Sequence, residues 1–125
     1  MSSKSAKGIG PQRPIRAKGL TGIVTFDGTN ISISRKGLSN FNSGRGQAEA
    51  TWPIEAITWI DWKDPTFWTN GFIWFVLTDE VKKQMPVMMR MTAASGRDNA
   101  VVFKKPQLDG FKQIRGAVEA AIRAR

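Results

Sequence analysis

No cysteine, histidine or tyrosine occurs among the 125 residues. Without cysteine there is no disulfide frame, no thiol nucleophile and no thiolate metal site. Without histidine, imidazole base catalysis and every zinc site built on imidazole are excluded. No apolar run approaches the roughly 18 residues that a membrane-spanning helix needs, and the first residues lack an apolar signal core. These absences predict a cytoplasmic, non-secreted product with no catalytic residue, metal or cofactor. Acids are scarce as well: ten against 19 lysines and arginines, a net charge of +9.

That excess is unevenly placed. Lys4, Lys7, Arg13, Arg16 and Lys18 precede any acidic residue. Charges cancel between Gly19 and Phe103, and the excess returns from Lys104 to Arg125. Two basic ends suggest an anionic partner, such as nucleic acid, acidic lipid or an acidic protein face; a solubility tail is the plainer reading. The segment 1–18 is rich in Ser, Gly, Pro, Lys and Arg. It has too little apolar content to bury and reads as a flexible arm. Residues 19–125 then form one domain, with 41% hydrophobic positions over the whole chain to build its core.

From Leu20 the pattern has period two. Leu20, Val24 and Phe26 alternate with Thr21 and Thr25, and Ile31 and Ile33 alternate with Ser32 and Ser34. Asp27-Gly28-Thr29 between them signals a tight turn. Lys36 to Gly46 reads as a loop. A short strand is expected near Gln47–Thr51, a bend at Trp52-Pro53, and a strand from Ile57 to Trp62. Asp64-Pro65 opens a turn that ends at Asn70-Gly71. GFIWFVLT is apolar on both faces and bounded by turn residues, which predicts a central strand. A polar hairpin tip follows at Asp79-Glu80. Val87, Met89 and Met91 alternate and predict a sixth strand, Ala94–Asp98 a turn, and Ala100–Lys104 a seventh strand.

The period then changes. Leu108, Phe111, Ile114, Val118 and Ile122 fall on one stripe of an α-helix. Pro106 suits the first turn, and Asp109 and the terminal arginines match the helix dipole. Gly110 and Gly116 suggest close approach to a sheet. The fold class is therefore mainly β with one C-terminal α-helix, a bent seven-stranded antiparallel sheet or partial barrel capped by the helix.

This order resembles the pleckstrin-homology-like (PH-like) topology. GLTGIVTFDGTNISISRKG and WIDWKDPTFWTNGFIWFVL resemble the opening hairpin and middle segment of a small actinobacterial domain family of unknown function with a PH-like core. NAVVFKKPQLDGFKQIRGAVEAAI resembles the closing strand and helix of bacterial PH-like domains. The resemblance covers Gly19 to Ala124 and implies a binding role, in an actinobacterial or phage setting, where the location would be cytoplasm or virion. It does not carry inositol-phosphate recognition, because the first hairpin loop is short and acidic, and Arg35 and Lys36 lie at the far end of the second strand.

The candidate residues follow. The pair Asp61 and Asp64, and the pair Asp79 and Glu80, read as solvated turn acids rather than a catalytic carboxylate pair. The Ser43–Gly46 loop lacks the sequence of a phosphate-binding loop. All five tryptophans lie between Trp52 and Trp74. Trp59 and Trp62 point to opposite sides of one strand, and Trp74 reads as core. Trp62, Phe67, Trp68, Met88 and Arg90 are the candidate protein-interface residues. Lys4, Lys7, Arg13, Arg16, Lys18, Lys112, Arg123 and Arg125 are the candidate contacts to an anionic partner. The expected function is a protein-interaction module, as a subunit of a larger assembly whose basic arm contacts a neighbour. A nucleic-acid or anionic-surface binder is the alternative.

Overall fold

The structure is a computed structural model and describes residues 13–35, 49–80 and 86–125. Lys4, Lys7, Lys36 and the expected loop up to Gly46 lie outside the described residues. Strands β1 (Ile15–Lys18), β2 (Ile23–Phe26), β3 (Asn30–Ser34) and β4 (Glu49–Pro53) form one antiparallel sheet in chain order. A 3-10 turn (Ile54–Ala56) leads to β5 (Ile57–Lys63), β6 (Gly71–Leu77) and β7 (Ala100–Phe103), which form a second antiparallel sheet. Helix α1 (Val87–Gly96) lies between β6 and β7 in the chain, and helix α2 (Leu108–Ala124) closes it. The fold is mainly β with a C-terminal helix, and the two sheets do not join into a closed barrel.

The first hairpin forms as its sequence predicts. Gly28 takes a φ of 97°, which a side chain would oppose. The Asp27 carboxylate accepts the N–H groups of Asn30 at 2.7 Å and Thr29 at 2.8 Å. Val24, Phe26, Ile31 and Ile33 then face inward against Ile57, Ile60, Ile73, Phe75, Val101 and Phe103 of the second sheet. A register shift between Ile57 and Trp59 lets Ile57 and Ile60 share that inner face despite their odd spacing.

Helix α2 seats Phe111, Ile114 and Val118 in this core. Phe111 stacks on Phe103 with ring centroids 4.4 Å apart, and Phe103 meets Trp62 at 5.3 Å. Gly110 lets α2 approach β1, since a Cβ there would lie 3.3 Å from that of Ala17. Gly116 faces open space and has no such role.

Three expectations need correction. Val87–Met91 is not a strand, and Ala94–Gly96 is not a turn: both belong to α1. The alternation of Val87, Met89 and Met91 was a chance match, while Met, Arg and Ala are all good helix formers. The helix covers the outer face of the second sheet, where Ala94 and Met91 pack with Phe72, Trp74, Val76, Ala100 and Val102. The seventh strand is instead β1, inside the segment read as an arm. There Ile15 and Ala17 turn to the core while Arg16 and Lys18 face out. Finally, Asp61 and Glu80 are not solvated turn acids. Asp61 lies buried on β5, 3.5 Å from Nε of Arg90. The Glu80 carboxylate accepts from Trp74 Nε1 at 3.1 Å, the Leu77 N–H at 3.1 Å and Asn99 Nδ2 at 2.9 Å.

Arginines fasten the junctions. Arg35, buried at the end of β3, donates to the carbonyls of Thr21, Arg97 and Ala100, joining the first sheet to the start of β7. Leu20 N–H donates to the Val102 carbonyl at 2.8 Å at the same seam. Arg125 donates to the carbonyls of Ile54 at 2.7 Å and Ile57 at 2.5 Å, pinning the end of α2 to the inter-sheet turn.

Two outcomes check this account. Phe111→Ala removes a fully buried, stacked ring and is expected to cost about 3–5 kcal/mol in chemical denaturation; a loss below 1 kcal/mol, on the scale of ordinary surface changes, would show that α2 is not seated. Asp27 gives a pH dependence. Its two backbone hydrogen bonds hold the carboxyl below its usual value of 3.8. The stabilisation is therefore present above that value and is lost as pH falls through the lower folded value. The stability gap between wild type and Asp27→Ala should be full at neutral pH and should close in strong acid; a gap independent of pH refutes the assignment.

Candidate binding surface

The loop between β5 and β6 is held together from beneath. The Thr66 hydroxyl accepts the N–H groups of Trp68 at 3.1 Å and Thr69 at 2.9 Å, and Thr66 N–H donates to the Thr69 carbonyl at 2.8 Å. Lys63 turns its ammonium into the loop and donates to the Asp64 carbonyl at 3.1 Å, Thr69 Oγ1 at 3.0 Å and the Asn70 carbonyl at 2.8 Å. Gly71 sits where no side chain fits, because a Cβ would lie 2.4 Å from the Lys63 carbonyl oxygen.

This scaffold points two rings at water. Phe67 is 80% exposed and Trp68 86% exposed, in an edge-to-face pair at 5.3 Å. Large apolar side chains normally gain about 1.5–3 kcal/mol each from burial. Here the hydrogen-bonded turn leaves them no route into the core. The antiparallel register places Gly71 opposite Phe103, so the residues after Phe103 come beside the loop. Lys104 and Lys105 follow, with the Lys105 ammonium 6.0 Å from the Phe67 ring centroid. The Gln107 side chain accepts the Lys104 N–H at 2.8 Å and fixes the turn. Loop and turn together line an open pocket of about 480 Å³, and the lysines are the only charged residues in its wall.

The other candidates are distributed around the molecule. Trp62 is half-buried against Phe103, under the Arg115 guanidinium at 4.9 Å, and its Nε1 donates to Asp64 at 3.0 Å. Met88 is 70% exposed on α1. Arg90 lies over the Phe72 ring at 5.6 Å beside Asp61, so it fastens α1 to the sheet. Arg13, Lys112 and Arg123 are exposed. Arg125 is committed to backbone carbonyls, as described. Among the described protein-interface candidates, Phe67 and Trp68 alone share one site. Lys104 and Lys105 were missed. Their signal was the register of β6 against β7, which a false strand at Val87–Met91 concealed.

Among the described residues no three carboxylates come together as a metal site, and no helix is long and apolar enough to cross a membrane. The fold and this surface define a mainly β domain of two sheets with a terminal helix and an aromatic-basic pocket. The chain belongs to the DUF4429 family, a domain of unknown function, whose model matches residues 24–119. No curated protein and no solved structure matches it.

Gly71→Ala tests whether the loop depends on this close approach. The methyl group must displace backbone, so a drop in thermal stability and a change in Trp68 fluorescence are expected. A variant identical to wild type in both would show that the loop has slack.

Proposed function

We propose that this chain is a PH-like, non-enzymatic protein-interaction module with its contact centre on Phe67 and Trp68. One observation carries the reading: two adjacent aromatic rings are held in water by a hydrogen-bonded turn. Aromatic side chains set in a fixed geometry are the usual anchors of protein interfaces. The meander of four strands, then three with α1 inserted before the last, then a terminal helix supports the PH-like reading. The engagement of Asp61 with Arg90 and of Glu80 with Trp74 and Asn99 speaks against a carboxylate mechanism. In this reading the module is a subunit of a larger bacterial or phage assembly, and the basic residues ahead of β1 reach a neighbour.

A second reading, binding of nucleic acid or another anionic surface, draws on Arg16 and Lys18, which share the outer face of β1, and on Lys112 and Arg123, which lie on one exposed stripe of α2. Such binding must fall steeply with salt, through counterion release.

The test is association by the full chain, measured by sedimentation and by capture of partners. Comparisons are made with Phe67→Ala, Trp68→Ala and a form lacking residues 1–12, which spares β1. Trp68→Ala should unfold within about 0.5 kcal/mol of wild type, as an exposed residue does, yet lose its partner. A chain that stays monomeric and captures the same proteins in all forms would falsify the proposal.

A further inference from the structure

We infer that the pocket beside Phe67 and Trp68 receives an acidic peptide segment of a partner protein, with an apolar side chain seated against the rings and flanking carboxylates on Lys104 and Lys105. The inference rests on the proposed interaction function and names the partner's chemistry. Three observations carry it.

The first is charge complementarity. Lys104 and Lys105 are exposed, and no acid lines the wall. Asp64, the nearest acid along the loop, is turned toward Trp62 Nε1. An entering carboxylate therefore meets two cations and no like charge. Charge-assisted bonds of this kind are about twice as strong as neutral ones.

The second is shape. At about 480 Å³, the pocket lies within the usual range for small ligands and has room for a side chain or two. Its apolar lining comes from Phe67, Trp68 and Pro106. A bilayer would need only a protruding tip, not a recess. A recess with apolar walls and a basic rim matches the anatomy of a peptide-anchoring site.

The third is preorganisation. All three Lys63 protons are used inside the loop, and the Thr66 bonds fix the backbone that carries both rings. Little ordering is left to offset on binding, which is how rigid sites gain affinity. Stacking on unpaired bases would use the same rings, but a strand of nucleic acid runs its phosphates along a basic groove. Here the two lysines lie together on one side of an open pocket rather than along a groove.

The experiment selects from a displayed library of random short peptides on the folded full-length chain. Trp68→Ala and the double variant Lys104→Glu with Lys105→Glu are run beside it. Enriched peptides should join Asp or Glu to Leu, Phe or Trp. Their affinity should fall roughly thirty-fold or more on Trp68→Ala, the scale of a lost interface anchor. The double variant should instead enrich Lys- and Arg-bearing peptides, a gain that misfolding cannot produce. Trp68-dependent enrichment without acidic residues overturns this inference and leaves the interaction reading standing. Enrichment indifferent to Trp68 overturns both. Binding of oligothymidine or phosphatidylserine vesicles through the same residues, with no peptide enriched, assigns the pocket to another partner class and overturns the inference.

Discussion

Strand β6 must be buried on both faces, and the rest of the architecture answers that demand. Residues Gly71 to Val76 are all inaccessible, and every second side chain points the opposite way. One cover alone would leave Phe72, Trp74 and Val76, or else Ile73 and Phe75, in water. The first sheet and α2 supply the inner cover, and α1 supplies the outer one. An antiparallel sheet usually has one wet face. Here β6 and β7 are buried on both sides because a ten-residue helix is inserted before the last strand.

The insertion also shapes the surface. With α1 looped out over the sheet, β7 pairs directly with β6, and its end comes level with the start of β6. That register joins a loop between two strands to the turn before α2, segments more than thirty residues apart in sequence. The aromatic row from Trp62 through Phe103 to Phe111 lies beneath the junction and ties β5, β7 and α2 into one rigid base. The exposed rings are carried between β5 and β6, strands packed into this base, which favours precise positioning over adaptability.

Much of this was legible in sequence. The Asp27-Gly28 turn, the doubly apolar β6 and the α2 stripe each follow from local periodicity, and each forms as read. Helix α1 was not legible, because its five-residue start fits a period of two as well as one of 3.6. A global argument does find it: a doubly apolar strand in an antiparallel sheet needs a second cover, and the Met- and Ala-rich stretch that follows it in the chain can provide it. Reading α1 as a strand would insert it between β6 and β7 and carry Lys104 away from Phe67. The exposed rings were therefore visible in sequence and their lysine neighbours were not. Strand β1 was hidden for a different reason, since only two inward residues, Ile15 and Ala17, set among charges carry almost no periodic signal.

The basic surplus divides by donor use rather than by count. Arg35, Lys63 and Arg125 give their N–H groups to backbone carbonyls and hydroxyls. Those acceptors are neutral, so the charges still add to the long-range field that steers an anionic partner. They have fewer donors left for short-range recognition. Arg90 and Arg97 are different, because Asp61 and Glu80 offset their charge locally. In the proposed reading, steering would draw on cations throughout the molecule, whereas recognition would fall to exposed lysines beside apolar rings. Lys104 and Lys105 meet that condition together with Phe67 and Trp68. The chain's positive charge would bring a partner near at a rate that falls with salt, while the aromatic pair, insensitive to salt, would hold it.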